Sequence, residues 1–382
     1  MIQYAKQFID KSDINSVIAA LKSEFLTQGP RVKIFEDQIK KFTSSKYAIA
    51  VNSATSALHL SCMALGIKKG DNVWTSPITF VASANCALYC GANIDFVDID
   101  PFNFNINIDE LKKKLAVAKK NKVLPKVLIV VHFAGLPCEM KLIKKLSLEY
   151  KFKIIEDASH AIGASYLNGK IGSNKYSDIT IFSFHPVKII TTGEGGMVLT
   201  NNKKTASLIE NLRSHGIVRN KPKKNASKLF FYSQINLGFN YRMTDIQAAL
   251  GISQLRKINS FIKERNKLAR NYKKLLSKNS CISYQKNSLK NTVSSYHLFV
   301  IRLRSKKYSQ VQAFNFMKKS GINVNLHYIP VYLHPYYKNL GFKSGLCPEA
   351  EQYFKETMTL PLYPGLKYSD QLKISQLLNS IC

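Results

Sequence analysis

Most lysines in this chain sit among other charges, but Lys188 does not. In "FSFHPVKIITTGEGGMV", residues 182–198, it is flanked by Pro186, Val187, Ile189 and Ile190, and the next acidic residue is Glu194. A lysine drawn into apolar surroundings gives up its proton more readily and becomes a nucleophile able to form a Schiff base. The bland alternative is a lysine stem lying along a sheet edge with its head in water. Other segments carry groups that would complete the nucleophile's chemistry. Asp157 ends the apolar run "KIIED" (153–157), which puts a carboxylate at the carboxyl edge of a parallel sheet, where such folds take ligands. An Asp after a strand also serves as a helix cap. "NSATS" (52–56) leads into a helix, whose free N–H groups and the hydroxyls of Ser53, Thr55 and Ser56 suit a phosphate, with plain capping as the alternative. Ser183 adds a hydroxyl from the same sheet edge, and Phe80, after "SPIT", adds a flat ring. Lysine, carboxylate, anion site and ring are together what pyridoxal 5′-phosphate requires of a protein.

The elements that must position these groups follow from hydrophobic periodicity. "YAIAV" (47–51), "NVWT" (72–75), "IDFVDI" (94–99), "KVLIVV" (126–131), "KIIED" (153–157), "ITIFS" (179–183) and "GMVLT" (196–200) read as strands. Helix-length segments separate most of them, which predicts an α/β fold: a mostly parallel sheet with helices on both faces. This large domain is expected over residues 1–250, and a smaller α+β domain over 251–382. In the latter, "YHLFVIRL" (296–303) reads as a strand and "SDQLKISQLLNSI" as a closing amphipathic helix capped by Ser369 or Asp370. The stretch 244–277 reads as helical, with "DIQAALGISQL" giving a 3.6-residue apolar period.

Composition narrows the function classes. The chain has 382 residues, 45% of them hydrophobic and 21% charged, as in soluble proteins with a large core. Its formal charge of +32 raises the question of nucleic acid. The lysines are spread along the chain, however, and runs such as "KKLAVAKKNKVLPK" (113–126) and "NKPKKNASK" (220–228) read as solvated faces or loops. With no zinc-finger spacing and no aromatic RNP strand, no nucleic-acid partner is expected. The seven cysteines are scattered with no CxxC pair, so no metal site is expected and reduced thiols are. The start lacks a basic-then-apolar leader, and "VLIVVHFAGL" (127–136) is about half of the ~20 residues that span a bilayer. A cytoplasmic protein without a membrane partner is expected.

"FSFHPVKIITTGEGG", "EDASHAIGA", "VNSATSALHL" and "GFNYRMTDIQAALG" together resemble the DegT/DnrJ/EryC1/StrS aminotransferases, which act on nucleotide-activated keto-sugars; the resemblance covers nearly the whole chain. It implies the aspartate-aminotransferase-like fold type I and transamination in two half-reactions, with L-glutamate as donor. It also implies that Lys188 carries pyridoxal phosphate, that Asp157 partners the pyridine nitrogen and that His160 lies near the phenolate oxygen. By the same resemblance Thr55, Ser56 and Ser183 contact the phosphate and Phe80 stacks on the ring. Asn240 in "FNYR" would reach the phosphate from a neighbouring subunit, making a homodimer with shared sites. His160 stands where glutamine is commoner. With Tyr4, "LTQG" and "NLHYIPVY", this resembles the branch acting in pseudaminic acid biosynthesis. That implies Tyr4, Leu26, Thr27, Gln28, Gly29, Asn325, Leu326, His327 and Tyr328 as contacts for a UDP-linked 4-keto-6-deoxy-N-acetylhexosamine. Pro186, Gly193 and the pair Asn325-Leu326 depart from the usual pattern and bear on substrate detail. The UDP-bacillosamine and GDP-perosamine branches and a non-catalytic regulator are the alternatives. A dehydratase of the same fold carries histidine at the lysine position, and Lys188 argues against it.

Overall fold

The computed structural model describes residues 1–218 and 232–382, so the run at 220–228 lies outside the described residues. Seven strands form the main sheet, in the order Tyr47–Val51, Gly196–Thr200, Ile179–Ser183, Lys153–Asp157, Val127–Val131, Asn72–Thr75 and Asn93–Phe96. The five from Ile179–Ser183 to Asn93–Phe96 run parallel, and Gly196–Thr200 pairs antiparallel with both its neighbours. The mostly parallel sheet is as the alternation of elements predicts. "IDFVDI" gives only the four-residue strand Asn93–Phe96.

Both faces of this sheet are buried, which explains why its central strands are rich in apolar residues, as in Val127–Val131, rather than strictly alternating. Successive side chains enter different cores. Ile49, Val127, Ile129, Ile155, Ile181 and Val198 pack under the helices Ala54–Ala64, Ala82–Tyr89 and Lys203–Leu212. Ala48, Leu128, Val130, Ile154, Phe182 and Leu199 pack under Pro30–Thr43, Ile108–Lys120, Met140–Tyr150 and Asp245–Arg256.

A second sheet of three antiparallel strands, Ile282–Tyr284, Phe299–Leu303 and Thr357–Leu360, packs through Phe299, Ile301, Met358 and Leu360 on Tyr272, Met317 and Ile374. The N-terminus joins it: Ile2 bridges to Ile322, and the Leu362 N–H donates to the Tyr4 carbonyl at 3.0 Å. The stretch 244–277 is two helices, Asp245–Arg256 and Ile258–Leu275, meeting at Lys257. The last helix, Tyr368–Ser380, opens at Lys367 with no side-chain cap. The expected caps Ser369 and Asp370 instead lie inside its first turn.

The cysteines need one correction. Cys281 and Cys382 are joined as a disulfide, with Cα atoms 6.0 Å apart, and the other five are free. Local spacing could not show it, because 101 residues separate the pair. Among the described residues no helix is long and apolar enough to cross a membrane, and no three metal-binding side chains cluster.

Candidate active site

The register of the main sheet gathers the chemistry at one edge. Val131 pairs with Asp157, Asp157 with Ile181, and Ser183 with Gly196, so the ends of these strands stand side by side. Val51 pairs with Gly196 and leads directly into the helix Ala54–Ala64. That helix approaches closely: a Cβ on Gly196 would stand 2.5 Å from the Ser53 carbonyl oxygen. Over this edge lies a cavity of about 520 Å³, within the range of small-molecule sites. Its walls include Thr55, Phe80, Asp157, His160, Ser183 and Lys188.

The turn after Ser183 answers for the rest of "HPVKIITTGEGG". Ile189 and Ile190 are buried, which pins the backbone immediately after the lysine. The Lys188 N–H donates to the His185 carbonyl at 2.9 Å, and Thr191 and Thr192 bind back to the Phe184 carbonyl. Gly193 has φ +80°, a left-handed conformation that favours glycine. Lys188 is thereby held in an apolar bend facing the cavity. Burial pulls its ammonium down to about 8, with the Asp157 carboxylate opposing the shift.

Asp157 is buried and already half engaged. Its Oδ2 accepts from the Ser83 hydroxyl at 2.6 Å and its Oδ1 from the Ser159 N–H at 3.1 Å. The second contact closes a turn and not a helix start, because no helix lies between Asp157 and the short strand Ser165–Tyr166, so the helix-cap alternative does not hold. At the helix Ala54–Ala64, Ser53 caps the Ser56 N–H at 3.1 Å. The Ala54 and Thr55 N–H groups have no partner among the described residues and stand at the cavity wall. Two free donors at the positive end of an 11-residue helix suit a phosphate.

Three imidazoles surround the lysine. The His160 Nδ1 accepts the Ala134 N–H at 3.3 Å, so its proton belongs on Nε2, which lies 3.3 Å from the Tyr328 hydroxyl. Burial pushes His160 well below the usual histidine range, and the nearby Lys188 adds to the shift. Burial likewise takes His327 down to about 3, its Nδ1 lying 2.9 Å from the Thr359 hydroxyl. His297, 4.4 Å ring to ring from His160, is also held neutral by burial. Neutral rings can take or give hydrogen bonds without competing with Lys188 for charge.

Of the residues singled out from the sequence, Tyr4, Asn325, Leu326, His327 and Tyr328 also line this cavity. Phe80 is 59% exposed at its wall rather than packed in a core, with its ring 6.4 Å from that of Tyr328. Ser56 does not line the cavity, since its hydroxyl donates to Asn52 Oδ1 at 2.6 Å. Leu26, Thr27, Gln28, Gly29 and Asn240 lie outside it. Sequence reasoning missed His297 and Ser83. His297 lies in "YHLFV", 109 positions beyond Lys188, and only the packing of the two sheets' surroundings brings it in.

Pyridoxal phosphate fits this donor set. Lys188 supplies the amine, Asp157 a buried carboxylate, the Ala54 and Thr55 N–H groups with Ser183 an anion cradle, and Phe80 a ring. The comparisons agree. The chain is 41% identical to the UDP-4-amino-4,6-dideoxy-N-acetyl-beta-L-altrosamine transaminase of Campylobacter jejuni, covering 100% of this chain and 97% of that one. It superposes on Helicobacter pylori PseC, an aminotransferase of pseudoaminic acid biosynthesis, with TM-score 0.91, 30% identity and coverage of 100% and 98%. A putative sugar aminotransferase from Streptococcus pneumoniae, solved in its PLP-form, gives TM-score 0.89 at 27% identity with coverage of 100% and 98%. The fold is fold type I of the pyridoxal-phosphate-dependent transferases, α/β throughout its main sheet. Residues 7–379 match one family, and the chain belongs to it: the DegT/DnrJ/EryC1/StrS aminotransferases.

Proposed function

We propose that this protein is a pyridoxal-phosphate-dependent transaminase that moves the amino group of L-glutamate to C4 of a UDP-linked 4-keto-6-deoxy-N-acetylhexosamine. One observation carries the reading: a depressed lysine, a buried carboxylate and a helix start with two free N–H groups converge on a single cavity. When bound, the cofactor supplies an electron sink that makes the substrate's α-proton removable. Lys188, freed as a neutral amine, would take that proton from the donor and deliver it from the same face to the bound cofactor, so its depressed pKa matches a base working near neutrality. Asp157 keeps a positive pyridine nitrogen company. His160, with its proton on Nε2, donates to the Tyr328 hydroxyl, which leaves that hydroxyl's own proton to offer to an oxygen in the cavity. Tyr4 and His327, with rings 5.7 Å apart, form a wall that sets how the sugar lies, and hence which face Lys188 protonates.

The reading includes a large cofactor-binding unit through residue 250 and a small one beyond, supported by the seven-stranded sheet before that point and the three-stranded sheet after it. A cytoplasmic location is part of it, with five free thiols for it and the Cys281–Cys382 bridge against it. The test is incubation with pyridoxal phosphate, glutamate and a panel of UDP-, GDP- and dTDP-linked 4-keto-6-deoxy sugars, with products read by mass. Amino-sugar formation is expected, and its absence across the panel would refute the reading.

Support for the finer substrate comes from the 41% identity with the Campylobacter jejuni transaminase and from Tyr4, "DASH" and "HYIPVY" in one chain. UDP-2-acetamido-2,6-dideoxy-β-L-arabino-hex-4-ulose should therefore outcompete its D-xylo counterpart, with the C4 configuration of the product read by NMR. Preference for the D-xylo sugar, or for a GDP or dTDP donor, removes this substrate and leaves the transaminase.

Asn240 is exposed and stands outside its own cavity, which supports a homodimer with shared sites. Asn240→Ala and Lys188→Ala proteins should each be poorly active alone. Mixed and allowed to exchange subunits, they should regain activity from the one intact site of each heterodimer. No recovery after exchange verified by mass would put Asn240 outside any shared site.

A further inference from the structure

We propose that Asp245 is a positioning residue that sets nucleotide-sugar affinity by fixing the segment Leu26–Gly29; this rests on the proposed function together with the family resemblance, which implies that this segment, outside the chain's own cavity, contacts the sugar nucleotide. The helix Pro30–Thr43 begins at Gly29, and no side chain of its own caps it. The first N–H groups of a helix need acceptors. Asp245, 216 residues away from Gly29, supplies them: its Oδ2 accepts the Gly29 N–H at 2.7 Å and its Oδ1 the Arg31 N–H at 2.8 Å. Its own N–H donates to the Leu26 carbonyl at 3.0 Å, and Thr27 bridges to Thr244. Asp245 is fully buried, and these are its hydrogen-bond partners outside its own helix among the described residues.

The segment has little freedom left. Gln28 is left-handed with φ +56°, and a Cβ on Gly29 would press into Phe25 Cβ and stand 2.9 Å from Asp245 Oδ1. The same helix start also reaches the lysine turn. Thr244 and Gln247 form a reciprocal capping box, and the Gln247 amide donates to the Glu194 carbonyl at 2.9 Å. Glu194 lines the catalytic cavity. One helical turn therefore holds the segment 26–29 and the lysine turn in a fixed relation, and Asp245 is its link to the former. A carboxylate is needed because two N–H groups point at two oxygens, which an amide meets with only one acceptor.

The test compares Asp245→Asn with wild type in three measurements. Binding of UDP is followed by calorimetry, the glutamate half-reaction by the visible band without sugar, and stability by thermal unfolding. For Asp245→Asn, affinity for UDP is expected to fall on the order of tenfold, the scale of a lost charged hydrogen bond. The donor half-reaction is expected to keep most of its rate. Asp245→Glu should recover part of the affinity. UDP bound as tightly by Asp245→Asn as by wild type overturns the role of Asp245 and leaves the transaminase standing. Equal losses in UDP affinity, donor rate and thermal stability also overturn it, because they mark a general structural part. A wild type that binds no UDP overturns both.

Discussion

Lys188→Ala is expected to lower turnover by about 10⁴-fold, the upper end of what a positioned acid–base group supplies. The cofactor should still bind, because the cradle of Ala54, Thr55 and Ser183 and the carboxylate of Asp157 are untouched. The measurement is paired: initial rates with glutamate and keto-sugar, and the visible band with and without borohydride. Wild type should be yellow, and borohydride should bleach it and fix the cofactor on Lys188; the variant should show no fixation. A colourless wild type that stays colourless after cofactor is added would sink the assignment. The reacting form is the neutral amine, so colour formation by the apoprotein should quicken as pH rises and level off above about 8, the value to which burial brings Lys188. An exposed lysine would show its rise near its ordinary value, about two units higher.

Much of this was legible in the chain because the signals are local. Lys188, Ser183 and the turn that bends between them lie within eleven residues, 183–193, and Gly193 marks the bend. Strand ends are also local, since buried parallel strands show as short apolar runs and Asp157 is the last residue of its strand, after Ile154, Ile155 and Glu156. What escaped was set by pairing across the fold. Nothing near His297 says that its ring will lie 4.4 Å from that of His160. Asp245 reads as an ordinary acidic residue in the first turn of its helix, yet its carboxylate serves a helix whose cap position, Gly29, lies 216 positions earlier. The expected cap at Ser369 or Asp370 failed for a related reason: both residues suit the role, but the cap position falls two residues before the first of them, at Lys367. Ser56 shows the reverse case. Its position in the motif suggested a phosphate contact, while Asn52, four residues away, takes its hydroxyl.

Asp157→Asn is expected to keep the fold and to lose activity by about 10²- to 10³-fold, in the range of a preorganised charge aimed at the reacting system. The fold should survive because the amide is nearly isosteric. Its oxygen can still accept the Ser159 N–H, and its NH₂ can donate to the Ser83 hydroxyl that now donates to Oδ2. Ser83 can turn its proton toward Thr79, whose hydroxyl lies 2.8 Å away, so no buried donor is left facing another. The stability change should therefore stay near 1 kcal/mol or less, the net worth of one hydrogen bond. Lost instead is the negative charge that holds a pyridine nitrogen protonated, for which an amide has no substitute. A pure cap would behave differently, because Asn caps as well as Asp and the variant would work almost normally. A second readout separates the roles without turnover. The Asp157 carboxylate raises the Lys188 pKa against burial, so removing the charge should lower it further. The pH midpoint for colour formation should then move below that of wild type. Normal activity with an unmoved midpoint would reduce Asp157 to a turn residue and leave the site without its carboxylate.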